Sequence, residues 1–81
     1  MVPRIADIEG ITIAVYYLDH PPPHFHARYA EHEVLIAIGD LSIIRGELPP
    51  SMMRKVVRWA AENQALLHQC WQRAERGEGF T

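Results

Sequence analysis

Gly46-Glu47-Leu48-Pro49-Pro50-Ser51-Met52-Met53 is where the hydrophobic pattern of this chain changes period. Before it, apolar residues alternate or cluster in short runs divided by Gly and Pro. After it, they recur three and four apart, the spacing of one helix face. Pro49 and Pro50 are excluded from a helix interior but suit its first turn, where the fixed φ is already right and the missing N–H is not needed. The spacing predicts one uninterrupted helix over about 50–76, closed by Gly77 as a C-terminal cap, with 77–81 a frayed tail. Its apolar stripe is Met52, Val56, Trp59, Ala60, Leu66, Leu67, Cys70, Trp71 and Ala74, interrupted at Asn63. Such a helix would measure about 38 Å.

Working back from the prolines, the first half (about 3–46) reads as short strands. Ile11-Thr12-Ile13-Ala14-Val15-Tyr16-Tyr17 is rich in β-branched and aromatic residues. Arg4 to Ile8 is its expected partner across a Glu9-Gly10 turn. Val34 to Ile38 and Leu41 to Arg45 read as a hairpin across Gly39-Asp40. His24-Phe25-His26-Ala27-Arg28-Tyr29-Ala30 alternates polar with apolar, as a half-buried strand does. The fold class that follows is α+β: a small antiparallel sheet of three to five strands, covered on one face by one long C-terminal helix. One helix covers one face, so the other is left to solvent, a ligand or another subunit.

Composition bounds the function. Eighty-one residues allow one domain. Forty-eight per cent hydrophobic against 22 % charged residues is a globular balance that argues against disorder. No apolar run approaches the ~20 residues of a membrane span, and Met1-Val2-Pro3-Arg4 lacks a secretion signal. The lone Cys70 forms no internal disulfide, so a cytoplasmic location is expected. A net charge of −2 removes the simplest argument for a nucleic-acid binder. No Gly-rich run builds a phosphate-cradling loop.

What stands out is five histidines, three of them in Asp19-His20-Pro21-Pro22-Pro23-His24-Phe25-His26-Ala27-Arg28. On a strand, His24, His26 and Arg28 share one face, and Phe25, Ala27 and Tyr29 the other. The apolar set is expected toward the helix, leaving two imidazoles and a guanidinium on the open face. Three chemistries suit them. The two imidazoles could hold one divalent metal, with a third ligand from His20, Asp19 or a neighbouring strand. They could act as general acid and base on a phosphodiester, with Arg28 on the phosphate. Or His and Arg could contact phosphates while Tyr16, Tyr17 or Tyr29 stacks on bases. Against these stands a plain structural role, in which histidines beside prolines bond backbone carbonyls. His32, between Glu31 and Glu33, is read as solvated, and His68 as packing beside the helix stripe.

The run from Asp19 to His26 resembles the D-H-x-P-P-H-[FVI]-H core of domain-of-unknown-function family 4160, small bacterial proteins. Pro3 to Ile5, Gly10 to Ile13, and Gly46, Leu48, Pro49, Pro50 and Trp59 match further elements of that family in order. Pro21 fills the family's variable place, so the spacing is kept. The resemblance implies no established activity. It does imply a component of a bacterial toxin–antitoxin pair, with a cognate small protein of domain-of-unknown-function family 2442 as partner.

Arg54, Lys55 and Arg58 fall in the first two turns of the expected helix, where the macrodipole disfavours cations. They are candidate contacts for RNA phosphate or an acidic partner, set against a solvated face paired with Glu47 or Glu62. Trp59 and Trp71 are read as core, with a share in a homodimer surface as the alternative. Cys70 is read as a small core residue. Two functional classes result. One is a toxin-like effector acting on RNA through His24, His26 and Arg28, with Tyr17, Tyr29, Arg54, Lys55 and Arg58 as binding residues. The other is a non-enzymatic interaction or metal-binding module in which His20, His24 and His26 hold a divalent metal.

Overall fold

The computed structural model describes residues 4–77; Met1–Pro3, with the Pro3 of the family-like start, and most of the expected tail lie outside them. Five strands, β1 (Arg4–Ile8), β2 (Ile11–Ala14), β3 (His24–Tyr29), β4 (His32–Ala37) and β5 (Ile43–Glu47), precede two helices, α1 (Pro50–Glu62) and α2 (Gln64–Glu75). The strands form one antiparallel meander in the order of the chain. The α+β class stands, at the upper end of the expected strand count.

Register sorts the side chains. Ala6, Ile13, Ala27, Val34 and Gly46 lie in one row across the five strands. This row faces the helices, and with Ile11, Phe25, Ile36 and Ile38 it builds a core closed by Val56, Ala60, Leu67 and Trp71. Each large apolar side chain so buried contributes about 1.5–3 kcal/mol. The two flanking rows, Asp7–Thr12–Arg28–Glu33–Glu47 and Arg4–Ala14–His26–Leu35–Arg45, point the other way. They carry both signs of charge in nearly equal number, so this face is not a cationic platform.

The single long helix is corrected. At Asn63 (φ −128°, ψ 25°) the backbone leaves helical geometry. The Asn63 Nδ2 donates to the Trp59 carbonyl at 2.8 Å, the acceptor that its own N–H would take in a continuing helix; that N–H turns to Ala60 O instead. The chain changes direction there, so α1 packs on the sheet while α2 runs across the sheet's end. Gln64 Nε2 bonds Ile38 O at 2.8 Å, Trp71 meets His24, and Leu18 N–H bonds Ala74 O at 3.0 Å. The turn also rotates the stripe: Leu67, Cys70, Trp71 and Ala74 are buried, but Leu66 is exposed, as is His68.

Smaller differences lie in the sheet. β2 stops at Ala14, leaving Tyr16 and Tyr17 in the loop. The β3–β4 turn is Ala30-Glu31, so His32 begins a strand instead of sitting in a turn. β4 and β5 are joined by five residues, not two: Asp40 Oδ1 accepts from Ser42 N and Oγ, and Leu41 takes φ 60°. β5 therefore starts at Ile43, two residues later than the hydrophobic run suggests. It is exposed along its whole length.

Candidate metal centre

The segment after β2 folds back over the start of β3. The Leu18 N–H bond to the end of α2 pins it, with Leu18 itself at φ 53°. This places Asp19 above the outer face of β3, where His24 and His26 project as neighbours two residues apart.

One oxygen, Asp19 Oδ2, lies 3.0 Å from His24 Nε2 and 3.3 Å from His26 Nε2. The other, Oδ1, accepts the His20 backbone N–H at 2.8 Å. The far side of each ring is also held. His24 Nδ1 donates to the Pro22 carbonyl at 2.8 Å, and His26 Nδ1 lies 3.3 Å from Glu33 Oε2. The Tyr16 ring meets His26 edge-on at 4.1 Å between centroids, and Trp71 lies 5.2 Å from His24. Partial burial works to raise the Asp19 pKa, but the His20 N–H and the two rings outweigh it and hold the carboxyl below the usual aspartate value.

Proton counting makes this arrangement informative. A carbonyl only accepts, so the Nδ1 of His24 must carry a proton. In a neutral ring its Nε2 then presents a lone pair, and that lone pair faces a carboxylate oxygen. His26 has a carboxylate at each nitrogen and, when neutral, only one proton to offer. A cation among the three atoms would satisfy both rings without a second proton on either. The spacing suits a cation: ligand bonds of about 2.0–2.1 Å at tetrahedral angles put ligand atoms about 3.3 Å apart. Asp19, His24 and His26 offer ligand atoms that all lie within 4.8 Å of one another. Pro22 O and Glu33 on the opposite ring nitrogens are the supports that metal-ligating histidines ordinarily have.

The expected site residues separate accordingly. His24 and His26 do come together on one strand face, but that face is not open: they are only 5 % and 8 % exposed. The β2–β3 loop and the edge of α2 cover them. His20 is exposed and lends its backbone N–H to Asp19; the group of side chains that could hold a metal is Asp19, His24 and His26, without the His20 ring. Arg28 shares the face but is exposed, 3.9 Å from Glu33 Oε2. Tyr17 and Tyr29 are half-buried and pack partly against the core. Lys55 pairs with Glu9 in the β1–β2 turn at 2.9 Å, not with Glu47 or Glu62. That turn lies at the Tyr29 end of β3, about 16 Å along the strand from His24. Because α1 begins at Pro50, Arg54 falls in its second turn and Arg58 in its third, where the dipole penalty is small.

Glu33 and Trp71 were not visible as site residues in the sequence. Placing the turn at Ala30-Glu31 would have set Glu33 opposite Arg28 and beside His26. Nothing local could have brought Trp71 to His24, since that contact depends on the bend at Asn63.

A family model described as Domain of unknown function (DUF4160) matches residues 10–72, which include Asp19, His24, His26, Glu33 and Trp71. No curated protein and no solved structure matches the chain. The resemblance read in the sequence is borne out, and the chain belongs to the DUF4160 family.

Proposed function

We propose that this member of the DUF4160 family is a metal-binding domain. In this reading Asp19, His24 and His26 hold one divalent ion of the zinc class through Oδ2, Nε2 and Nε2. The observation that carries the reading is the His24 ring: its Nδ1 donates to Pro22 O, and its Nε2 converges with His26 Nε2 on one Asp19 carboxylate oxygen, 3.0 and 3.3 Å away. Two imidazoles and one carboxylate suit zinc, iron, cobalt or nickel better than magnesium or calcium, which favour oxygen donors. Three protein ligands leave a position for water or a substrate atom, the pattern of catalytic sites and not of closed structural ones.

This bears on the expectation of an effector acting on RNA. Metal-free acid–base catalysis needs a ring nitrogen free to exchange a proton with substrate, and all four ring nitrogens face protein acceptors. Phosphodiester chemistry at this site would instead use a metal-activated water. Arg28, two residues beyond His26 on the same face, is the cation placed to hold an anionic substrate group. A toxin-like role, and a partner of domain-of-unknown-function family 2442, belong to this proposal as the setting in which such chemistry would be used.

Elemental analysis of tag-free protein, with calorimetric titration of zinc, nickel, cobalt and manganese, tests the reading. One equivalent of a transition metal is expected, lost in His24→Ala and His26→Ala and retained in His20→Ala. No metal taken up by the wild type, or equal uptake by His24→Ala, would remove the proposal. RNA cleavage that persists in excess chelator would restore the metal-free reading.

A further inference from the structure

A second feature lies on α1, away from the histidines. Pro50, Met53 and Val57, with Leu48 before the helix, line an open groove of about 630 Å³, and Arg54 and Arg58 complete its lining. These helical residues recur at i, i+3, i+4, i+7 and i+8, so they form one continuous face. It is distinct from the Met52, Val56, Ala60 side that packs on the sheet. α1 is thus apolar on two sides; on this second side Leu48 is buried in the core and Met53 packs against it, while Val57 is half-buried and Pro50 exposed.

The cations set the character of the groove. Arg54 and Arg58 stand one turn apart, where like charges disfavour each other. Among the described residues neither has an ion-pair or hydrogen-bond partner, whereas their neighbour Lys55 is paired with Glu9. There is no acidic residue in the first turn of α1 and no side-chain cap at its start. An apolar floor bordered by two unpaired guanidinium groups is complementary to a helix carrying apolar residues beside carboxylates. It fits RNA less well, because no aromatic ring lines the groove for bases to stack on.

We propose that this groove docks an acidic amphipathic segment of a partner protein, with its apolar side chains on Met53 and Val57 and its carboxylates on Arg54 and Arg58. The proposal does not rest on the metal reading.

Selection from a displayed library of helical peptides tests it. Wild-type protein is expected to enrich peptides with Leu, Ile or Met next to Asp or Glu spaced four apart. The Arg54→Glu/Arg58→Glu protein should lose at least tenfold in affinity for those peptides and should enrich Lys- and Arg-bearing ones instead. Val57→Asp should abolish binding, and His24→Ala/His26→Ala should leave it unchanged, with circular dichroism confirming that each variant is folded. Three results would overturn the proposal. One is no enrichment, or enrichment indifferent to the double charge reversal. Another is tighter binding of single-stranded RNA that Arg54→Glu/Arg58→Glu removes. The third is dimerisation of the wild type abolished by Val57→Asp, which would assign the groove to a second copy of this chain.

Discussion

Replacing Asp19 by Asn should move the stability of the metal-free and metal-loaded protein in opposite directions. In the metal-free protein Asp19 Oδ2 lies 3.0 Å from His24 Nε2 and 3.3 Å from His26 Nε2, and the His24 Nδ1 proton is already given to Pro22 O. An Asn amide in the same place offers an N–H donor to a ring nitrogen that has no proton of its own. It exchanges an unfavourable facing of two acceptors for an ordinary hydrogen bond, worth about 1 kcal/mol. For a domain of this size 1 kcal/mol moves Tm by about 4–8 °C, so metal-free D19N should melt that much higher than wild type. Zinc tests the other half. Free metal at a hundred times Kd stabilises the wild type by about 2.7 kcal/mol, or about 11–22 °C, and D19N should lose most of that gain. The assay is thermal melting of tag-free protein with and without zinc. A D19N protein that zinc stabilises as much as wild type would refute the ligand assignment. One that is less stable than wild type in the metal-free state would refute the proton counting.

Three further outcomes follow from the packing. Trp71→Ala should cost about 3–5 kcal/mol in urea unfolding, a large part of the about 4–12 kcal/mol expected of the whole domain, because Trp71 is 4 % exposed and closes the sheet end against His24; a loss under 1 kcal/mol would show that α2 does not seal that end. Gly46→Ala should cost more than Gly77→Ala, which is worth about 1–2 kcal/mol for the left-handed backbone alone: both have positive φ, but a Cβ at Gly46 would collide with the Glu33 backbone carbonyl while one at Gly77 meets open space. Equal losses in the two variants would place β4 and β5 farther apart than described. Burial pushes the Cys70 thiol pKa up, only partly offset by Arg73, so an aromatic disulfide reagent should label it at least ten times more slowly in the native protein than in urea; equal rates would mean that the α2 face is open.

The strand half of the chain was legible because its signals are local. The Glu9-Gly10 turn is read from two residues, and the alternation of His24 to Tyr29 assigns each side chain to a face without reference to other strands. The loop between β4 and β5 misled for the same reason. Gly39-Asp40 has the composition of a two-residue turn, but Asp40 holds Ser42 in a wider loop, and the pairing of Ile36 with Ile43 shifts β5 along. The helix break was half visible. Asn63 interrupts the stripe, yet an Asn within a helical pattern is tolerated when its side chain faces water, and only the bond from its amide to Trp59 O shows that it ends α1.

The sequence by itself determined the class of fold, the sharing of a face by His24 and His26, and the family, because periodicity and motif order are properties of neighbours along the chain. Tertiary structure alone decided what surrounds those imidazoles. The helix turns at Asn63, α2 crosses the sheet end, and the loop it anchors at Leu18 carries Asp19 over both rings. A ligand set spanning two segments depends on that long-range closure. Once Trp71 and the loop exclude water from the rings, each nitrogen must find a protein partner or a metal, and a solvent-facing His-x-His strand becomes a candidate coordination site.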